Sequence, residues 1–191
     1  VIIDSLQRKR ELSIRVYAML EPTDENFKNF ISRGIYQTDR LSVRSIKLFA
    51  DGALGSRGAL LLEPYTDDPL TKGLQIEPTA YYRRICKKAL RYGYQVNTHC
   101  IGDAANRMIL DINGEILKGQ NDLRWRIEHA QVVHPSDFHK FAKFSIIPSV
   151  QTTHATSDMF WAIDRLGDER IRYAYAYKML LQQNGWLANG S

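Results

Sequence analysis

Six short apolar runs, at residues 14–20, 45–50, 94–99, 125–129, 145–151 and 186–189, are separated by stretches with helical periodicity. Such alternation is the sequence mark of repeated β/α units, because parallel neighbours need a crossover long enough to carry a helix. The expected fold class is therefore α/β, built on a parallel sheet. The same pattern says where function should sit. In a closed barrel of such units the C-terminal strand ends gather on one rim, and the loops that follow them form the mouth of the site.

The connecting segments carry interpretable helix boundaries. Pro78 suits a first turn, Tyr82, Ile85 and Ala89 form an apolar stripe, and Gly93 supplies a stop. Asp103 suits the cap of a helix bearing Met108, Ile109, Ile112 and Ile116, and Ser136 the cap of one bearing Phe138, Phe141 and Ala142. A last helix is expected to run from Asp168 to about Gln183. Residues 51–75 break the rhythm, with glycines at 52, 55, 58 and 73 and prolines at 64 and 69. They read as a long strand-to-helix loop, a length that in a compact barrel is usually functional. No internal repeat or linker interrupts residues 1–191, so one domain is expected.

Composition narrows the function classes. With 44% hydrophobic and 25% charged residues among 191, the chain has the makings of a substantial core. No apolar run approaches the roughly 18–20 residues needed to span a bilayer, and the first residues lack a signal-peptide layout. That points away from a membrane and towards the cytoplasm. The net charge of +5 owes much to Arg83, Arg84, Lys87, Lys88 and Arg91, which share one expected helix and read as a solvated face rather than a nucleic-acid site. Cys86 and Cys100 form no CxxC pattern, so free thiols are expected. The glycine-rich GALGSRG lacks P-loop spacing, and no GxSxG elbow is present.

The residues that could carry chemistry stand at strand ends. Lys47 lies in SIKLFADG, His99 ends QVNTH, Glu128 and His129 end WRIEH, and Gln151 with His154 closes SVQTTH. Four strands thus deliver groups suited to metal binding or acid/base work to one mouth. Any one of these histidines alone would more often be a hydrogen-bonded structural residue. Lys47, between Ile46, Leu48 and Phe49, is expected on a strand packed on both sides, where an unpartnered ammonium is costly. A Schiff-base role for Lys47 would leave the histidines without work.

The ordered motifs KLFADGALGSRGALLLEPY, HCIGDAAN, RIEHAQ, SVQTTHATSD and LANGS resemble, in sequence and spacing, the YtcJ-like branch of the amidohydrolase superfamily. The resemblance covers residues 14–191. It implies a partial (β/α)8 TIM-like barrel of the metal-dependent hydrolase type, with one or two divalent ions, most commonly zinc, at its C-terminal face. It places Lys47, His99 and His129 among the metal ligands, with Lys47 bridging two ions if carbamylated. It gives His154 the catalytic task of donating to the developing oxyanion, and Asp51, Arg57 and Gln151 the shaping of the substrate pocket, although Asp51 and Asp103 equally suit capping of turns or helices. QTTH departs from the more typical QPxH, which puts the geometry of that loop in question. Glu128 is expected to orient a histidine.

The substrate implied is a small amide-like molecule, cleaved at a non-peptide C–N bond of an amide, formamide, carbamate or imide. The family's first-strand His-x-His pair and last-strand aspartate have no counterpart here, so the chain alone is expected to be inactive. The alternative is a non-catalytic structural or interaction unit. Open sheet edges would favour pairing with another chain, hence a homo-oligomer.

Overall fold

The structure, a computed structural model, describes residues 2–190; Val1 and Ser191, the last residue of LANGS, lie outside the described residues. The chain runs through α1 (Ile2–Arg8), β1 (Val16–Leu20), α2 (Asp24–Asn29), β2 (Tyr36–Gln37), β3 (Leu41–Phe49), α3 (Thr79–Arg91) and β4 (Gln95–Cys100). It continues with α4 (Asp103–Leu117), β5 (Arg126–His129), α5 (Phe138–Lys143), β6 (Ile147–Val150), α6 (Thr153–Ser157), α7 (Ala162–Arg170), α8 (Tyr177–Asn184) and β7 (Ala188–Asn189). The sheet order is β1-β3-β4-β5-β6-β7, with each neighbouring pair parallel, and β2 pairs antiparallel with β3. This is the expected α/β class, a half-barrel of parallel strands with helices against it.

Burial explains the order. Strand residues that face the helices are apolar: Ile46, Leu48, Val96 and Ile127 are buried with Ile85, Ala89, Ile109, Ile112, Phe141 and Leu180 in one cluster. Trp125, fully buried just before β5, donates its indole N–H to the Tyr94 carbonyl at 3.1 Å and so meets both its apolar and its polar requirement. Both cysteines are free and buried, Cys86 on α3 and Cys100 at the end of β4.

The long segment after β3 is ordered by a second cluster of its own. Leu54, Ala59, Leu61 and Tyr65 pack with Ile101, Val132, Leu166 and Ala174. The Tyr65 hydroxyl donates to the Ala59 carbonyl at 2.7 Å, and Arg170 donates to the Glu63 carbonyl at 3.0 Å and to the Thr66 hydroxyl at 2.9 Å. The segment is therefore clamped onto α7 and the turn after β5, with most of its polar backbone satisfied.

Several boundaries differ from expectation for local reasons. Gly102, not Asp103, is the N-cap of α4; the Asp103 carboxylate instead accepts the Leu62 N–H at 2.9 Å, tying the long loop to the helix start. Ser136 sits inside a 3₁₀ turn (Pro135–Asp137) capped by His134, so α5 begins later, at Phe138. The single helix expected from residue 168 is interrupted. Gly167 has a φ of 71° within α7, the 3₁₀ turn Ile171–Tyr173 follows, and Tyr175 has a φ of 54°. There the backbone turns to donate from Tyr175 N–H to the Gln131 carbonyl at 2.7 Å, beside an isolated bridge between Val132 and Ala174. A tertiary hydrogen bond has replaced a helical one.

Candidate metal centre

Lys47 and Phe49 share one face of β3, because alternate residues of a strand point the same way. That face is the mouth side, and Phe49 is 50% exposed there. The expectation that Lys47 lies on a strand packed on both sides is thus corrected: only the Ile46 and Leu48 face is packed against helices. The Lys47 ammonium sits 4.6 Å from the centroid of the Phe49 ring. The period-two pattern of the sequence carried this signal for Phe49, which sequence reasoning did not single out.

Parallel register brings the next strands to the same level. Phe49 pairs with His99, His99 with Glu128, and Cys100 with His129. The His99 and His129 rings are 4.5 Å apart between centroids in an edge-to-face arrangement, and Phe49 lies 5.6 Å from His99. His129 has a φ of 75° and Ala130 one of 44°, so the chain bends sharply at the end of β5. Left-handed conformations are costly outside glycine and persist where surrounding structure determines them, a pattern common at functional sites.

His154, in the first turn of α6, completes the group. Its ring is stacked on that of His129, 5.6 Å between centroids with 5° between planes. Its backbone N–H donates to the Gln151 carbonyl at 3.0 Å, and Gln151 itself stands beside His129. Lys47, His99, His129, His154 and Gln151 are therefore brought together.

The other residues singled out in the sequence are placed differently. Asp51 lies in the wall of the site, its side chain wholly buried, accepting three backbone N–H groups. Arg57 is held in a two-point pair with Asp67 at 2.9 and 3.1 Å, and Arg165 joins the same carboxylate, so its guanidinium is committed to the loop. Glu128 orients no histidine; its carboxylate accepts from Arg126 Nε at 2.8 Å and offsets the Lys47 charge.

Electrostatics favour uncharged donors. Burial, then the neighbouring His129 and Lys47 charges, push the His99 imidazole down to about 4, against a weaker opposing effect of the Gly52 backbone. Burial, followed by Lys47 and His154, also lowers His129. Burial lowers Lys47, partly countered by Glu128. Both imidazoles are neutral at pH 7, the form that binds metals, and the amine gives up its proton more readily than an exposed lysine.

These residues fit a divalent ion. Two neutral imidazoles lie within 4.5 Å of each other, each with one buried nitrogen lacking a hydrogen-bond partner, Nε2 in His99 and Nδ1 in His129. Buried nitrogens are rarely left so without a reason. An imidazole-rich set suits zinc and its neighbours. The set is partial: among the described residues no group of three or more His, Cys, Asp or Glu side chains could hold an ion. Nor, among them, is any helix long and apolar enough to cross a membrane.

Comparison with known proteins bears on the same residues. Residues 2–191 match the Amidohydro_3 amidohydrolase family. The chain is 40% identical over 147 residues to the putative amidohydrolase YtcJ of Bacillus subtilis, covering 77% of this chain and 28% of that protein. It is 37% identical over 164 residues to the LONG AFTER FAR-RED 3 protein of Arabidopsis thaliana, covering 84% of this chain and 28% of the relative. Among solved structures, an uncharacterized metal-dependent hydrolase from Pyrococcus horikoshii superposes with a TM-score of 0.88 at 35% identity, covering 98% of this chain and 38% of that one. One from Pyrococcus furiosus gives 0.88 at 32% identity, covering 98% and 39%. The chain thus spans between a quarter and two-fifths of the length of these proteins.

Proposed function

This chain belongs to the amidohydrolase family, and on that premise we propose that it carries part of the active site of a metal-dependent hydrolase that cleaves a non-peptide C–N bond. The observation that supports this reading most is the convergence of Lys47, His99 and His129 from three adjacent parallel strands, with both imidazoles held neutral. Zinc is the ion that best suits this donor set. When bound, a divalent ion supplies Lewis acidity towards a carbonyl and lowers the pKa of water towards neutrality.

This chain's residues would do the rest. His99 and His129 present imidazole lone pairs from β4 and β5. The Lys47 amine, whose proton burial makes easier to lose, can once deprotonated add carbon dioxide and release a proton, replacing a cation that repels metal with an anionic oxygen ligand. His154, stacked on His129, can donate a hydrogen bond to the oxygen on which charge develops as the C–N bond is attacked. Phe49 and the clamped 51–75 loop border the site on the β3 side. A small amide, formamide, carbamate or cyclic imide fits a site of this kind.

Lys47, His99 and His129 would leave the fourth position of a tetrahedral ion open for water, but among them there is no carboxylate to shuttle its proton. We therefore expect the 191-residue chain by itself to hydrolyse little or nothing. The test is elemental analysis of a full-length protein bearing this sequence, followed by assay on a panel of N-acyl, N-formyl, carbamoyl and cyclic imide compounds. Activity that is lost to a chelator, restored by zinc and abolished by His129→Ala is the expected result. A protein that holds no metal after purification and reconstitution would sink the reading.

A further inference from the structure

We infer that Tyr175 and Tyr177 are positioning residues for His154, clamping α6 at both ends so that its imidazole lies parallel to that of His129. The inference rests on His154 acting as the oxyanion donor, as proposed above. α6 needs such help: it has five residues, none of them buried, and its N-cap Thr152 forms no side-chain cap bond. A helix of that length is far too short to hold together by itself in water. Its place is therefore set by contacts with the rest of the chain.

Those contacts converge on the backbone of His154. Its N–H donates to the Gln151 carbonyl and its own carbonyl accepts the Asp158 N–H, each at 3.0 Å. Both of these partners are held by a tyrosine hydroxyl. Tyr177 donates to the Gln151 carbonyl at 2.9 Å, and Tyr175 donates to Asp158 Oδ2 at 2.9 Å. Asp158 Oδ2 also accepts from Gln131 Nε2 at 3.3 Å, and its Oδ1 accepts from the Ser157 hydroxyl at 2.8 Å. Burial raises both phenols and the Asp158 charge adds to the effect, so both hydroxyls stay protonated donors.

The clamp is referenced to the strand end that carries His129. Tyr175 has a left-handed φ of 54°, its N–H donates to the Gln131 carbonyl at 2.7 Å, and its hydroxyl accepts from Gln131 Nε2 at 2.9 Å. Gln131 lies two residues beyond His129. A continuous set of bonds thus runs from the end of β5 through Tyr175 and Asp158 to α6, across the same gap that the stacked rings span. The break between α7 and α8 has a use on this account. Residues two apart on a helix face different ways, so an unbroken helix through 171–177 could not turn both hydroxyls onto α6. Anchoring of this connection needs only the backbone bond of Tyr175; the two hydroxyls reach past it to opposite ends of α6.

The experiment uses a full-length protein bearing this sequence. Tyr175→Phe and Tyr177→Phe each remove one hydroxyl and keep the ring. Each should lower kcat about 10- to 100-fold, the scale of a displacement near 1 Å, with metal content and KM little changed. In a His154→Phe background the same substitutions should cost almost nothing more, because the ring they position is gone. Losses that multiply with that of His154→Phe would show a merely structural role and overturn the inference, as would full activity in either tyrosine variant. Hydrogen exchange of the peptide spanning residues 151–161 gives a readout that needs no turnover. It should quicken in both tyrosine variants, and exchange equal to wild type would overturn the clamp. A His154→Phe variant of unchanged kcat would instead count against the donor role of the previous section, while quickened exchange still upholds the clamp.

Discussion

The imidazole of His154 lies parallel to that of His129, 5° between planes and 5.6 Å between centroids, so the first turn of α6 is registered on the end of β5. Two roles are superposed in one ring: a flat surface that supports His129 and a polar edge that faces the mouth. His154→Phe separates them. In a metal-loaded protein carrying this sequence, metal content should be retained while kcat falls by about 10²- to 10³-fold, the usual cost of losing an oxyanion donor. Steady-state kinetics with parallel metal analysis reads both; an unchanged kcat removes His154 from the chemistry.

Lys47 bears on stability and on metal binding with opposite signs. Its ammonium is penalised by burial, so Lys47→Met should raise the stability of the metal-free chain by up to about 1 kcal/mol, since Glu128 keeps Arg126 as a partner. The same substitution should weaken metal binding. If the amine becomes a carbamate, intact mass measured in bicarbonate should show one added carbon dioxide in the wild type and none in the variant. Urea denaturation and native mass spectrometry are the checks.

Asp51 and His99 titrate in opposing directions within the same range of pH. The Asp51 carboxyl, raised by burial to about 7, contributes stability that is fully present below its unfolded value of 3.8 and is lost as pH rises through about 7. His99, depressed to about 4, contributes stability present above 6.5 and lost as pH falls through about 4. On folding near pH 5 a proton in effect leaves the imidazole for the carboxyl, and the two contributions nearly cancel. Asp51→Asn should uncover the His99 half: stability of the chelated variant, relative to wild type, should rise with pH between about 4 and 7. Denaturation of both proteins across that range is the measurement, and a flat or falling difference would contradict the assignment.

Gly102 lies where two backbones meet. A Cβ there would stand 2.0 Å from the Leu60 carbonyl oxygen, the acceptor of the Ala104 N–H at the start of α4. Gly102→Ala should therefore cost about 1–3 kcal/mol, the range of overpacked sites, and should also disturb the Leu60 and Gly102 N–H groups that hold Asp51. Urea midpoints of the variant and the wild type are the measurement, and equal midpoints would contradict the close contact.

The strands and their terminal Lys47, His99 and His129 were legible in the sequence because each strand has to bury one face against helices, which writes an apolar pattern that ends where polar residues begin. What could not be read depends on partners remote in sequence. The break between α7 and α8 exists because Tyr175 bonds to Gln131, and no local propensity announces that contact. Asp51 and Asp103 suited capping in the sequence, and each does bind backbone N–H groups, but apart from the adjacent Ala104 N–H that Asp103 accepts, these lie across gaps of 9 to 51 residues that only the fold defines. Arg57 looked available for substrate because Asp67 and Arg165 become its neighbours only when the loop folds onto α7.

The register of β4 has a consequence for how this sequence tolerates change. Because His99 faces the mouth and Cys100 the helical side, a single-residue insertion or deletion inside β4 would exchange an imidazole for a thiol or a threonine hydroxyl at the same rung. The turn around Leu70, 98% exposed, lies outside every strand, so a length change there leaves the rungs of the sheet in place. The chain can therefore change length at one place without altering the sheet and at another only by rewriting the chemistry of the pocket.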